Sequence, residues 1–209
     1  MQRYITSCTL LALFVLQCFT LGAAMTPEEA LKTLMDGNER YVNDKLLHPN
    51  RSQETREALK YQQNPFAIIL GCSDSRVSPE IVFDQGIGDL FVVRVAGNVA
   101  GPIELDSIDF SAVILGSAII MVLGHENCGA VTAVLQHNTK DIEAVAAKIE
   151  PAISHIKDDN LEAAVKANVR SIVQQLKNSP VLSKLIQQKR IDVVGGYYRL
   201  ASGKIELLK

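Results

Sequence analysis

The sequence predicts an α/β fold: a parallel central β-sheet of about four strands plus an antiparallel edge strand, flanked by helices. Three observations predict it. The runs "FAIILGC", "DLFVVRVAG" and "SAIIMVLGH" are continuously apolar rather than alternating, as expected of strands covered on both faces. Helical patterns separate them, and strand–helix–strand succession belongs to parallel sheets with crossover helices. Polar, chemically capable residues stand just behind two of the runs, and in such sheets ligands sit at the carboxyl ends of strands.

The elements follow in order. "MTPEEALKTLMDGNERYVND" opens a helix, with Thr26 as N-cap, Pro27 at the first helical position and Glu28 and Glu29 at its positive end. Leu31, Leu34, Met35 and Tyr41 recur at helical spacing. "RSQETREALKYQQ" is a second, more polar helix that Pro65 ends, and His48-Pro49 marks the turn between the two. "FAIILGC" is the first strand. "VSPEIVFD" is a short helix capped by Ser78, "DLFVVRVAG" the second strand and "PIELDSIDFSAVILG" a one-sided helix. "SAIIMVLGH" is the third strand, and a helix starts at "CGAVTAVLQ". Ile142 to Gln188 reads as mostly helical, broken at Asn160 and restarted by Ser179-Pro180. "IDVVGGYYRL" is the fourth strand, and "GKIELLK" is the edge strand across the Ala201–Gly203 turn.

The chain has 209 residues, 47% of them hydrophobic and 21% charged, enough for one globular domain with a real core. The net charge of −2 and the lack of a basic tract argue against nucleic acid as a partner. Arg3, the uncharged run "ITSCTLLALFVLQCFTL" and the small residues Gly22 to Ala24 have the layout of a secretory signal peptide cut near Ala24. An uncleaved anchor is the alternative, because the run approaches the length of a span. The expected organisation is therefore a signal peptide over 1–24 and a single domain over 25–209. That domain has a helical arm at 26–63 and an α/β core at 65–209. Its expected location is periplasmic or secreted, with no membrane contact after cleavage. Cleavage removes Cys8 and Cys18 and leaves Cys72 and Cys128. In an oxidising compartment these two can form a disulfide.

Their neighbours suggest otherwise. Cys72 closes the first strand, and His125 and Cys128 close the third, with Cys72 and His125 separated by 53 positions. Together with Asp74 they offer two sulfurs, an imidazole and a carboxylate. That set suits zinc and disfavours calcium and magnesium, which take oxygen ligands. Arg76 adds a choice. Asp74 can complete the zinc shell and close it, or pair bidentately with the Arg76 guanidinium and leave three protein ligands with one open position. An open position holds water, whose pKa zinc lowers to about 7.

"CSDSR", followed by "HENC", resembles the motifs of the β-class carbonic anhydrases, and "GDLFVVRVAGN" and "VLGHENCGAV" are similar to stretches around that family's site. The resemblance runs from about Pro65 to Val131 and more thinly to Gly203. It implies the β-carbonic anhydrase fold, one Zn2+ per subunit on Cys72, His125 and Cys128, and a catalytic Asp74–Arg76 pair, with Asp74 also a possible fourth ligand. The implied reaction is reversible hydration of carbon dioxide to bicarbonate and a proton by zinc-bound hydroxide. Gln63, nine residues before Cys72, matches a substrate-binding glutamine that acts in the neighbouring subunit's site. A homodimer or dimer of dimers follows from that. Phe91, Val95 and Ala96 are candidates for lining the carbon dioxide pocket, with core packing as the plainer role. Backbone amides near Ser73 or Gly129 are candidates for orienting substrate oxygens. One departure stands out: some members carry a tryptophan that forms a second, inhibitory bicarbonate site with a glycine and a tyrosine. Here Gly71 and Tyr198 are present, but that position is Ile69 and the chain has no tryptophan.

Three other functions compete. A structural zinc module accounts for the ligands but gives Arg76 and Gln63 no task. A thiol enzyme built on Cys72 does not require His125 or Cys128. A relative acting on a carbon dioxide analogue such as carbonyl sulfide or carbon disulfide would carry the same ligands. His48, His137 and His155 read as surface residues.

Overall fold

The computed structural model describes residues 25–157 and 159–209; the expected signal segment lies outside them. Five strands form one sheet: β1 (Ala67–Gly71), β2 (Leu90–Arg94), β3 (Ile119–His125), β4 (Asp192–Tyr198) and β5 (Ile205–Leu208). Their order is β2-β1-β3-β4-β5. The first four pair in parallel, and β5 runs antiparallel to β4 as the edge. The chain therefore leaves β1 toward β2 on one side and leaves β3 toward β4 on the other. The crevice beyond the ends of β1 and β3 is the switch point where α/β sheets bind ligands, and Cys72 and His125 both lie there.

The apolar runs of β1 and β3 are buried on both faces of the sheet, as expected, but β2 is an edge strand and is only partly buried. Ile68 and Leu70 of β1, with Ile120 and Val122 of β3, pack against Val169, Ile172 and Leu176 of a long helix, α7 (Leu161–Lys177). Ala67 and Ile69, with Ile119, Met121 and Leu123, point the other way and meet Ala30 and Leu34 of α1 (Pro27–Val42). This period-two division, with both faces apolar, explains why the strands read as unbroken hydrophobic runs. α7 lies close on β3 because Gly124 has no side chain: a Cβ there would sit 2.5 Å from Val169 Cγ2 and 3.0 Å from Val165 Cγ1. Gly124→Ala is expected to overpack this contact and lower stability by about 1–3 kcal/mol, as measured by urea unfolding.

The helical arm is α1 followed by α2 (Gln53–Leu59). Thr26 caps α1 as expected: its Oγ1 accepts from Glu29 N at 3.2 Å, and Glu29 Oε2 accepts from Thr26 N at 2.8 Å. The link between the helices is clipped to the body by fully buried Asp84, which accepts from Arg40 Nε at 2.7 Å, Leu47 N at 2.9 Å and His48 N at 3.0 Å.

The remaining helices are α3 (Pro79–Val82), α4 (Pro102–Phe110), α5 (Gly129–Leu135), α6 (Glu143–Ile153) and α8 (Leu182–Gln187). Several boundaries differ from the sequence expectation. Ser78 precedes α3, but its side chain makes no capping bond. The helical stretch opens after Ile153 and resumes at Leu161, with Asn160 capping α7 rather than merely interrupting a longer helix. The second apolar run ends as a strand at Arg94. Gly97 and Asn98 take left-handed φ angles of 69° and 47°, which a strand cannot hold, and turn the chain under the site. Among the described residues, no helix is long and apolar enough to cross a membrane.

Candidate metal centre and active site

Cys72 follows the last residue of β1, His125 is the last residue of β3, and Cys128 is the N-cap residue of α5. All three are buried, and one ligand atom from each lies within 4.8 Å of the others. Cys72 and Cys128 are free thiols, not a disulfide. His125 Nδ1 sits 2.8 Å from the Glu126 carbonyl, which can only accept, so Nδ1 carries the ring proton. Nε2 is then left with a lone pair, fully buried and without a hydrogen-bond partner. Such an atom is costly unless something binds it. The two thiols interact so closely that Cys128 holds its proton while Cys72 is drawn toward thiolate, first by the Cys128 hydrogen bond. Two sulfurs, one of them drawn toward thiolate, and an imidazole that presents a bare lone pair, all packed in an apolar surround, fit a tetrahedral zinc ion with three protein ligands.

Asp74 stands outside this group. Its Oδ1 accepts from Arg76 Nε at 2.9 Å, and its Oδ2 accepts from the Arg76 terminal nitrogen at 2.7 Å. Oδ1 also accepts from the Arg76 backbone N–H at 2.9 Å. These bonds, the side-chain pair first, hold the carboxyl far below the usual carboxylate range. Oδ2 remains 3.8 Å from His125 Nε2, at the edge of the donor triangle. Arg76 is anchored in turn on the Asn127 carbonyl at 3.3 Å.

The loop that carries Cys72 and Asp74 is held by a residue that sequence reasoning passed over. Arg94 donates to the Cys72 carbonyl at 3.0 Å and to the Asp74 carbonyl at 2.7 Å. The available signal was a lone cation ending an apolar strand. Glu126 was missed as well, although it lies within "HENC". Its carbonyl fixes the His125 tautomer, and its own carboxylate accepts from Leu200 N at 3.1 Å.

The other candidates are dispersed. Gly129 is exposed at the start of α5, next to Cys128. Val95 packs against the apolar cluster that includes Cys72 and Cys128. Phe91 lies mid-strand opposite Ile68 and packs on Phe110 with ring centroids 6.4 Å apart, away from the donor group of its own chain. Gln63 is exposed before β1, at the opposite end of that strand from Cys72. Ile69 is fully buried in the core, and the Tyr198 hydroxyl is engaged with that of Tyr41 at 3.3 Å.

The carbonic anhydrase family profile matches residues 67–205, which span every element from β1 to the start of β5. A carbonic anhydrase of Mycolicibacterium smegmatis is 37% identical over 194 residues, covering 87% of this chain and 93% of the relative. The chain belongs to the β-class carbonic anhydrases. Among solved structures, the β-carbonic anhydrase CcaA superposes with a TM-score of 0.67 at 25% identity, covering 86% of this chain and 95% of that one. A tetrameric β-carbonic anhydrase from Sordaria macrospora shares the fold with a TM-score of 0.67 at 21% identity, covering 85% and 96%. The matched span contains Cys72, His125 and Cys128, as well as Asp74, Arg76 and Arg94.

Proposed function

We propose that the protein catalyses the reversible hydration of carbon dioxide to bicarbonate and a proton, with zinc held by Cys72, His125 and Cys128. The observation that carries this is the division of labour around Asp74: three buried donors converge, and the carboxylate that would close the group is committed to Arg76 instead. Zinc in that group would supply the Lewis acidity that brings the pKa of a water molecule to about 7.

The chain's own residues do the rest. His125 presents Nε2 because Glu126 holds Nδ1. Asp74 offers an ionised oxygen beside the donor triangle, so it accepts a hydrogen bond there and orients what donates it. Arg76 and Arg94 fix that oxygen by gripping the side chain and the backbone of the same loop. A buried apolar surround admits carbon dioxide, which needs no polar partner to enter.

The pH dependence tests this assignment. A carboxyl depressed below its unfolded value gives its stabilisation fully above about pH 4 and loses it only as pH falls through the folded value. Asp74 therefore stays ionised between about pH 6.5 and 9. Stopped-flow hydration rates over that range are expected to rise as a single ionisation. A steeper, cooperative rise would mean that Asp74 switches between Arg76 and zinc. Hydration absent across the range with zinc bound would favour a carbon dioxide analogue as substrate.

The active unit is a dimer or a dimer of dimers. Gln63 cannot reach its own chain's centre: the strand between them alone spans roughly 17 Å. Tyr61, Ile103 and Ile114 expose 89%, 77% and 66% of their surface, apolar area that a second subunit would cover. Gln63→Ala is expected to cut kcat/KM roughly 10- to 100-fold. Co-expression of Gln63→Ala with Asp74→Asn checks the sharing. In a mixed dimer one site regains both wild-type residues, so activity should return to about half that of wild type. No recovery would place Gln63 in its own subunit's site.

Export to the periplasm or medium, with cleavage near Ala24, is the reading of residues 1–24. The intact mass of protein from the periplasmic fraction tests it: a mature chain starting at Met25 supports export, and a full-length chain in the membrane fraction contradicts it.

A further inference from the structure

The metal centre leans on a turn that supplies none of its ligands. Gly97 donates its N–H to Cys72 Sγ at 3.3 Å. It can do so only because the chain bends sharply there, with Gly97 and Asn98 both in the left-handed region. A side chain at Gly97 would be strained: its Cβ would stand 2.7 Å from Ile149 Cδ1, on top of the conformational cost of a φ of 69°. Asn98 pays for the same bend with a fully buried side chain whose oxygen and nitrogen both lack protein partners.

What holds this unfavourable turn in place is an amide on a different element. Asn168 of α7 is fully buried and donates from Nδ2 to the Gly97 carbonyl at 2.8 Å. Seven residues further along the same helix, Gln175 Nε2 donates to the Ala100 carbonyl at 3.1 Å. Asn168 and Gln175 therefore lie on one face, two turns apart, and grip the segment from Gly97 to Ala100. Both polar ends of Gly97 are thus fixed, its carbonyl by Asn168 and its N–H by the Cys72 sulfur. A buried asparagine in a helix interior is poor for helix formation and costly to desolvate. Val165, Val169 and Ile172 on the same helix show what ordinary packing uses there.

We propose that Asn168 is a positioning residue of the metal centre: through the Gly97 carbonyl it aims the Gly97 N–H at the Cys72 sulfur and so sets how much charge that ligand can give to the metal. The proposal rests on the zinc reading above. It concerns neither substrate contact nor overall folding. A sulfur that accepts an N–H bond holds its lone pair at lower energy and donates less. Removing Asn168 frees Gly97 to swing away and leaves the thiolate richer in electrons.

Cobalt(II) substituted for zinc makes this visible without an activity assay, because the thiolate-to-cobalt charge-transfer absorption reports the energy of the sulfur lone pair. Asn168→Leu is expected to move that absorption to longer wavelength at unchanged cobalt content. Ile172→Val, one turn along the same helix and buried among other residues, is expected to leave it in place despite a comparable loss of thermal stability. A spectrum unchanged in Asn168→Leu, or shifted equally in Ile172→Val, would overturn the proposal. Should Asn168→Leu not fold, the wild-type protein loaded with cadmium-113 carries the test. Nuclear magnetic resonance couplings across hydrogen bonds are expected from the Gly97 N–H to cadmium and from the Asn168 amide to the Gly97 carbonyl carbon, and absence of either overturns it. Wild-type protein that takes up neither cobalt nor cadmium would instead remove the zinc reading itself, and this inference with it.

Discussion

Asp74→Asn is expected to retain zinc and lose carbon dioxide hydration by about 10²–10⁴-fold. The substitution changes almost no volume. It removes the charge that pairs with Arg76 and replaces one acceptor oxygen with an amide that donates. Arg76 then loses half of its two-point grip, and the group 3.8 Å from His125 Nε2 no longer offers two acceptor oxygens. Zinc content should stay at one per subunit, because Asp74 is absent from the donor triangle. Metal analysis beside stopped-flow kinetics checks both halves. Loss of metal together with activity would mean that Asp74 is a ligand and that the centre is of the closed, structural kind.

His125→Ala is expected to lose both. The imidazole is fully buried and supplies the only nitrogen of the group, so its removal leaves two sulfurs around a cavity. Activity should fall to that of the metal-free protein. The thermal response gives a second reading. A ligand at a thousand times its Kd stabilises the native state by about 4 kcal/mol, so chelation should lower the wild-type melting temperature by several degrees. The variant should already be low and should no longer respond to added zinc. A variant that still binds zinc stoichiometrically would show that the triangle is not the metal site.

Much of this was legible from residue order alone. Continuous apolar runs located β1, β2 and β3; in β1 and β3 a strand buried on both faces has no polar alternation to show, whereas β2 proves to be a partly exposed edge strand. The ends of those runs located Cys72 and His125, since strand ends on one sheet edge must face one crevice. Other features were hidden for physical reasons. Whether Asp74 turns toward a metal or toward Arg76 is a rotamer choice, and two acceptable partners within one loop leave it open in the sequence. The turn at Gly97 and Asn98 follows an apolar stretch and carries no breaker stronger than one glycine, so the expected strand ran on through Gly97 instead of ending at Arg94. Arg94 acts through backbone carbonyls, which have no sequence signature. Asn168 lies inside an amphipathic helix and looks like surface until packing turns it inward. Gln63 was placed by motif distance alone, and it lies exposed at the end of β1 opposite Cys72.

The most direct test of the account is to count bound zinc in the chain from Met25 and measure carbon dioxide hydration before chelation, after it, and after zinc is restored. About one zinc per subunit is expected, with fast hydration that disappears with the metal and recovers in proportion to the zinc returned. Hydration that survives complete removal of zinc, or a fully zinc-loaded protein that hydrates no carbon dioxide, would contradict it.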